Sequence, residues 1–426
     1  MRFERMDPGS SVASPSRITL VAVKTPATGG AETAARANRV KRYVPCLEGL
    51  RGYGFLLVFC GHYFAPSQLA HPGTIRLKFA TAMASMGLFA VPAFFVLSGY
   101  LIGGILYDTR HREGFFRVFY TRRILRVFPV FYVTLLAILL FNTLYKVPYD
   151  YHFWVHFLYI QNLLPSYIHQ HSSHVSMIHF WSLAVEEQFY LLWPLVVWLF
   201  PERKKLLSIA TCLIAFSCIL RIAAPFFIAS PKAIVWFTPT RADAILLGVI
   251  LALIRHDPIY ERIKPFAKWV VLAGGATAAT LAILKGASWS MTFAGEEIWI
   301  PLVNLTSFAI IITVMEEGTL INRLCSQKWI CWLGSLSYSL YVFHLTYAVF
   351  FLDTVTRVLE DHMRQSFAVL TAGLLAFCLT LLLSIICYLL IERPILNMKQ
   401  TVRYGPAQAE RVGSEVREPV LVRTGA

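Results

Sequence analysis

The segment from Cys46 to Ala65, CLEGLRGYGFLLVFCGHYFA, is apolar and long enough to cross a bilayer as a helix, yet it contains Arg51 and His62. Their spacing corresponds to about three helical turns plus roughly 20°, so both side chains, together with Glu48, project from one face. Ionisable groups at membrane depth are costly and are found mainly where they line a site or a water-filled cavity. This helix is therefore predicted to form one wall of an active site.

The rest of the chain has the composition of a membrane protein. Of its 426 residues, 57% are hydrophobic and 15% are charged, and the mean hydropathy is +0.58. These values exclude an ordinary soluble globular domain. Hydropathy predicts an all-α integral membrane protein with about ten transmembrane helices, near 46–66, 79–107, 127–145, 180–200, 206–228, 236–254, 269–284, 298–315, 331–352 and 366–391.

Lysine and arginine in the connections predict the orientation. The connections 108–126, 200–206, 255–268 and 316–330 hold 15 of these residues, whereas the five alternate connections hold 7. Because positive residues favour the cytoplasmic side, both termini are predicted to be cytoplasmic. The net charge of +15 is then expected to face anionic lipid headgroups or an anionic cofactor, and no motif indicates a nucleic acid partner.

Composition also predicts the domain organisation. Residues 1–42 are rich in small and polar residues and are expected to form a disordered cytoplasmic tail, and 397–426 a second cytoplasmic tail. Any chemistry must then lie in the membrane domain, 43–396. The eight cysteines have no CxxC spacing and are interpreted as packing residues. The connection 146–179 is rich in histidine but lacks acidic or cysteine partners, so no metal site is predicted there.

Depth along the predicted helices groups the polar residues into an outer and an inner set. At about 1.5 Å per residue, Arg51 lies near the cytoplasmic face and His62 near the outer face. The segments FWSLAVEEQFYLLWP and TRADAILLG each begin a helix that enters from outside. The residues expected at the depth of His62 are Glu186, Glu187, Arg241 and Asp243, with His179 at the entrance to this outer site.

The inner set suits a phosphate-bearing ligand. RRILRVFP places several arginines at the cytoplasmic start of one span, and FFVLSGYLIGG ends another span at similar depth. Guanidinium forks pair with phosphate oxygens, and glycines admit close approach. The inner set comprises Arg51, Ser98, Tyr100, Arg122, Arg123 and Arg126. An anionic ligand inside and a base outside predict a two-sided reaction.

Structural alternatives exist for each of these signals. The arginines of RRILRVFP also fit the role of topology determinants that snorkel to anionic lipid. A pair such as Glu186 with Arg241 also fits simple neutralisation of buried charge. His62 alone also fits a hydrogen bond between packed helices. The constellation favours a site more strongly than any single member does.

Seven motifs, in order along residues 43 to 396, carry a resemblance to a known family. They are LEGLRGYGFLLVFCGH, FFVLSGYLI, RRILRVFP, HFWSLAVEEQFYLLWP, TRADAILLG, LGSLSYSLYVFHL and IERP. Together they resemble the acyltransferase 3 family of integral membrane acyltransferases, which O-acylate sugars of bacterial surface glycans and some glycosylated small molecules. Two departures are small: Glu48 stands where the family usually has Asp, and Tyr100 where Phe is commoner.

The resemblance implies a set of roles. Arg51 and His62 form the key first-helix pair, Arg123 and Arg126 serve the acyl-CoA side, and Glu186 is a functional carboxylate. The expected reaction moves an acyl group, with acetyl expected, from acyl-CoA to a sugar hydroxyl, with His62 as general base or as a covalent acyl carrier. Acyl-CoA is expected as a substrate, with no permanently bound cofactor.

The remaining expectations concern the acceptor and the location. The residues expected to bind substrate are Glu48, Glu187, Arg241, Asp243, Tyr338 and His179, of which Tyr338 is also a candidate for stabilising the oxyanion. The expected partners are membrane lipids and a carbohydrate-containing acceptor, in the cytoplasmic (inner) membrane. The alternative function is a transporter or flippase of a lipid-linked sugar, although the sequence has no clear internal repeat. An unrelated lipid-modifying O-acyltransferase fits the first-helix pair poorly.

Overall fold

A computed structural model describes residues 44–64, 87, 89–146, 151–164, 176–227, 234, 236–285, 292–347, 350–398 and 401–406. The predicted tail 1–42, most of the predicted tail 397–426, and the histidines at 169, 171 and 174 lie outside the described residues. Every regular element in the described ranges is a helix, so the prediction of an all-α fold is confirmed for this part of the chain.

Long helices alternate with several short ones. The α-helices are α1 (Pro45–Tyr63), α2 (Ala90–Thr109), α3 (Phe115–Leu144), α4 (Phe180–Leu199), α5 (Arg203–Ala223), α6 (Thr238–Ile254), α7 (Pro258–Lys285), α8 (Phe293–Met315), α9 (Leu320–Cys325), α10 (Lys328–Ser335), α11 (Ser337–Phe343), α12 (Thr356–Glu360), α13 (Gln365–Cys387) and α14 (Arg393–Met398). Short 3-10 helices occupy Tyr151–Leu158, Gln161–Leu163 and Ala224–Phe226, and π-helical turns occupy Phe350–Val355 and Tyr388–Glu392.

Six of the described helices are long and apolar enough to cross a membrane: Ala90–Thr109, Phe115–Leu144, Arg203–Phe226, Pro258–Lys285, Phe293–Met315 and Phe367–Met398. Large apolar side chains on other helices also face outward, such as Leu191 and Leu192 of α4, which are 64% and 62% exposed. Such a surface suits contact with lipid. The chain is therefore a multi-pass membrane protein, while the number of about ten spans and the side of the termini stay predictions.

The predicted span 331–352 is not one helix. The chain forms α10 and α11, which are separated at Leu336. A side chain at Gly334 would put its Cβ 1.9 Å from the backbone oxygen of Glu48, so α10 approaches the backbone of α1 directly. The segment thus contains two short helices, of which α10 packs directly against α1. Hydropathy alone could not distinguish it from a continuous span.

Helices α2 and α6 make backbone contact through two glycines. A Cβ at Gly99 would lie 1.8 Å from the oxygen of Ile245, and one at Gly248 would lie 1.9 Å from the oxygen of Val96. Only glycine permits two helices to approach this closely. Because Ser98 is on α2 and Arg241 is on α6, this contact fixes the relative position of two predicted site residues.

We expect Gly99→Ala to lower the stability of the protein by about 1–3 kcal/mol, because the added methyl group has no space and the helices must separate. Thermal unfolding in detergent measures the change. Gly104→Ala is the matched control on the same helix, since its Cβ would meet only Ala252 at 3.8 Å. Equal melting temperatures for the two variants would contradict the close contact.

A buried ion pair joins α5 to α6. Arg221 Nη2 lies 2.7 Å from Asp243 Oδ2, and the two side chains are only 2% and 3% exposed. Arg221 also donates to the backbone oxygen of Thr240. Asp243 Oδ1 accepts from the backbone N–H of Ala244 at 2.8 Å. Both oxygens of Asp243 are thus bonded within the fold, which favours a structural role, while its predicted role in substrate binding stays a prediction.

We expect Asp243→Asn to destabilise the protein by about 3–5 kcal/mol, because it leaves the Arg221 charge buried and uncompensated. The matched control is Asp257→Asn, which breaks a partly exposed ion pair with Arg203 and is expected to cost about 0.2–1 kcal/mol. Denaturation monitored by circular dichroism in detergent compares the two. If Asp243→Asn kept the stability of the unmodified protein but lost activity, a role in substrate binding would be favoured over the structural one.

Candidate functional site

The arginine cavity, defined by Arg51, Arg123 and Arg126, has a volume of about 100 Å³. It lies between α1, α2, α3, α4 and α11. Its other polar lining residues are Ser98, Ser182, Glu186, Glu187, Tyr190, Ser337, Tyr338 and Tyr341. Three guanidinium groups thus converge on one space beside two carboxylates, which is an arrangement suited to an anionic ligand.

Contacts inside the arginine cavity orient these side chains. Ser98 Oγ donates to Glu186 Oε1 at 2.7 Å. The guanidinium carbon of Arg123 lies 4.1 Å from the ring centre of Tyr190, a cation–π contact that holds its side chain in the cavity wall. Arg126 lies close enough to Arg51 and Arg123 for their charges to act on it. Mutual repulsion of three nearby cations favours the binding of a multiply charged anion.

The histidine cavity, defined by His62 and His179, is larger, with a volume of about 420 Å³. Its polar and aromatic lining also includes Trp181, Trp236, Arg241, Glu296, Trp299 and Tyr341. Val91 and Tyr341 line both cavities, so the two spaces are neighbours with a common wall. The Tyr341 hydroxyl is held in that wall by the backbone oxygen of His179 at 3.0 Å and by Ser182 Oγ at 2.6 Å.

His62 lines the histidine cavity, and no hydrogen bond from a described residue reaches its second ring nitrogen. Its Nδ1 lies 2.8 Å from the backbone oxygen of Val58, one turn earlier in α1. A carbonyl oxygen only accepts, so this bond assigns the proton of the neutral ring to Nδ1 and leaves the Nε2 lone pair available. The imidazole therefore has the tautomer that a general base requires.

Two further histidines surround His62. The ring centre of His344 lies 5.1 Å from that of His62 and 5.0 Å from that of His179. His344 Nδ1 is 2.7 Å from the Tyr341 oxygen, and His179 Nε2 is 3.0 Å from the Val342 oxygen. The second nitrogen of each ring is buried without a hydrogen-bond partner among the described residues. Each ring thus has one nitrogen bonded to a backbone oxygen and one lone pair unused.

Sequence reasoning missed His344 and Glu296. His344 ends the motif LGSLSYSLYVFHL, and an ionisable residue in an apolar segment was the available signal. Glu296 lies in α8, whose start is capped by Thr292 Oγ1 accepting from Gly295 N at 3.0 Å. Glu296 lies in the first turn after this cap and points into the protein, where it is 2% exposed.

The structure brings together Arg51, Ser98, Arg123 and Arg126 as predicted, but it divides the outer set. Arg241 and His179 share the histidine cavity with His62, whereas Glu186 and Glu187 line the arginine cavity. Glu186 follows His179 by seven residues, a rise of about 10 Å along α4, so the two side chains line different cavities. The group bonded to Nδ1 of His62 is the backbone oxygen of Val58.

Four other predicted residues do not line either cavity. Arg122 donates to the Val402 oxygen from Nε at 2.9 Å and from Nη2 at 2.6 Å, because it points about 100° away from Arg123 around α3. The Tyr100 hydroxyl accepts from Arg255. Glu48 forms an ion pair with Arg51 at 3.6 Å. Asp243 is paired as described above, and Tyr338, within the arginine cavity, already donates its hydroxyl proton to the Val127 oxygen at 2.7 Å.

Several known proteins are similar to this chain. O-acetyltransferase OatA of Staphylococcus aureus is 27% identical over 376 residues, covering 83% of this chain and 57% of the relative. The putative peptidoglycan O-acetyltransferase YrhL of Bacillus subtilis is 27% identical, with 83% and 55% covered. The peptidoglycan O-acetyltransferase OatA of Listeria monocytogenes is 26% identical over 327 residues, with 71% and 49% covered. The chain thus spans about half the length of these relatives. No solved structure matches it.

The family comparison covers most of the membrane domain. The family model for the acyltransferase 3 type, described as an acyltransferase domain, matches residues 44–389. That range contains α1 with Arg51 and His62, both cavities, and the histidines that surround His62. The chain therefore belongs to the acyltransferase 3 family.

Proposed function

We propose that this protein is a membrane O-acyltransferase that moves an acyl group, with acetyl expected, from acyl-CoA to a hydroxyl of a sugar in a glycan, a lipid-linked saccharide or a glycosylated metabolite. The observation that carries the proposal is the pair of adjoining cavities, one lined by three arginines and the other by His62, with Val91 and Tyr341 in both walls. A phosphate-bearing donor in one cavity and a sugar acceptor in the other could then meet at their common wall. The names of the relatives support acetyl transfer to a peptidoglycan-like acceptor.

The arginine cavity is the proposed site of the donor. Its three guanidinium groups suit the phosphates of acyl-CoA, since planar forks pair with phosphate oxygens. The rise from Arg51 to His62 is about 16 Å along α1, comparable to the pantetheine arm of the donor. The thioester would then lie near His62 while the nucleotide stays at the arginines. The side on which the donor enters, predicted to be cytoplasmic, is part of this proposal.

His62 would act on the acceptor hydroxyl. Its Nε2 removes the hydroxyl proton as the sugar oxygen attacks the thioester carbonyl carbon, and the C–S bond breaks. The sulfur leaves as a thiolate and takes this proton from the imidazolium. The products are the O-acyl sugar and free CoA. If Nε2 instead attacks the thioester, the acyl group rests on His62 before transfer. Labelled acyl-CoA without acceptor distinguishes the two, because only the second route labels the protein.

We expect His62→Ala to reduce acyl transfer by about 100-fold or more, because general-base catalysis of this kind typically contributes 10²–10⁴-fold. The measurement is mass spectrometry of glycan strands incubated with acetyl-CoA and the purified protein. The control is His111→Ala, which changes an exposed histidine in the connection before α3 and is expected to retain full transfer. Transfer by His62→Ala at the wild-type rate would reject the base and the carrier roles together. Movement of glycan across vesicles without any O-acyl product would favour the flippase.

We expect Arg123→Ala to raise the KM for acetyl-CoA by about tenfold or more, since a charge-assisted phosphate contact is lost. Steady-state kinetics at saturating acceptor measure this constant. Arg117→Ala, on the exposed face of the same helix, is the control. An unchanged donor KM in Arg123→Ala would show that the arginines of α3 serve lipid contact or topology instead.

A further inference from the structure

Glu296 is a buried carboxylate that the proposed reaction leaves unused. It lines the histidine cavity, its residue is 2% exposed, and neither Oε1 nor Oε2 has a hydrogen-bond partner among the described residues. Buried polar groups in folded proteins are nearly always paired, and an exception calls for an explanation. A ligand that donates hydrogen bonds in this cavity would supply the missing partners.

The cations near Glu296 do not satisfy it. The charges of Arg241 and Arg221 act on its carboxylate. Arg221, however, is committed to Asp243 at 2.7 Å. Arg241 lines the same cavity as Glu296, and its Nε is also buried without a hydrogen-bond partner among the described residues. The cavity wall therefore offers a carboxylate that accepts and a guanidinium that donates, side by side.

Tryptophan rings complete this wall. Trp299 lies three residues after Glu296 in α8, so both side chains occupy one face of the helix. Trp181 and Trp236 line the same space, and the guanidinium carbon of Arg241 lies 5.9 Å from the ring centre of Trp181. Flat apolar surfaces combined with a few convergent polar groups are typical of a site that binds a small, partly apolar ligand in one orientation.

An uncharged sugar ring matches all of these groups. A phosphate would be repelled by the Glu296 carboxylate, and an acyl chain would leave its oxygens unpaired. An uncharged pyranose ring has C–H faces that can stack on indole and equatorial hydroxyls that can donate to a carboxylate. Its ring or carbonyl oxygens can accept from Arg241. The volume of about 420 Å³ falls within the usual range for ligand sites.

We propose that Glu296, with Arg241 and Trp299, forms the subsite that binds an uncharged sugar unit of the acceptor and selects which hydroxyl faces His62. This inference rests on the proposed acyltransferase function. Glu296 accepts hydrogen bonds from hydroxyls next to the reacting one, and Trp299 supports the face of the ring. The subsite is distinct from the arginine cavity, so donor and acceptor binding are separately affected by mutation.

The test uses the full-length protein in lipid nanodiscs, with acetyl-CoA as donor and soluble peptidoglycan glycan strands, stripped of O-acetyl groups, as the probe. Glu296→Gln keeps the shape of the side chain and removes its charge. We expect the acceptor KM to rise about tenfold or more, as befits the loss of hydrogen bonds to a charged group, and the donor KM to change less than twofold. The matched control is Glu297→Gln, which alters the adjacent, exposed glutamate and is expected to change neither constant.

A second variant distinguishes loss of sugar binding from misfolding. Trp299→Phe keeps an aromatic ring in the core and reduces the stacking area, and we expect a smaller rise in acceptor KM. An unchanged donor KM shows that each variant is folded. If wild-type protein acetylates the strands and Glu296→Gln has the acceptor KM of Glu297→Gln, the sugar subsite is rejected and the acyltransferase function stands. If wild-type protein forms no O-acetyl product on these strands, on a lipid-linked saccharide or on a glycosylated small molecule, the proposed function is rejected and the subsite with it.

Discussion

The close contact between α2 and α6 is the constraint on which the rest of the site depends. With glycine at 99 and 248, the two backbones touch, because any side chain at either position would overlap a carbonyl oxygen of the other helix. Ser98 on α2 then faces the arginine cavity, while Arg241 on α6 faces the histidine cavity. The arginine cavity and the histidine cavity can therefore be neighbours, because no layer of side chains separates α2 from α6 at these glycines.

Two pairs of buried charged residues in this protein differ in whether their polar atoms have partners. The ion pair of Arg221 with Asp243 is closed, with both partners satisfied by each other and by the backbone. Glu296 and Arg241 line the histidine cavity and keep buried atoms that have no hydrogen-bond partner among the described residues. Desolvation makes an unpaired buried charge costly. The ion pair of Arg221 with Asp243 is thus explained by folding, whereas the unpartnered atoms of Glu296 and Arg241 are the basis for the proposed sugar subsite.

Sequence reasoning predicted the helical class, and several residues that it grouped together line the same cavity, for identifiable reasons. Arg51 and His62 could be placed from one helix, because a single period relates them. The arginines of α3 could be placed by their position at a helix start, although Arg122 turned away because adjacent residues point about 100° apart. Glu186 was expected beside His62 but lines the arginine cavity, and Glu296 was missed. Both depend on how separate helices are aligned and rotated against each other, which no local pattern encodes. The split of the segment 331–352 at Leu336 depends likewise on its contact with α1.

The common wall at Val91 and Tyr341 has a consequence for the membrane itself. A protein with a polar chamber on each side of one partition must not become a leak for protons and ions. Tyr341 is tied to α4 by two hydrogen bonds, and Val91 adds an apolar surface that ions cross only at high cost. These two side chains separate the polar cavities and would interrupt a continuous chain of water between them. If the proposed transfer takes place across this wall, the same two side chains would also help to preserve the electrochemical gradient across the bilayer.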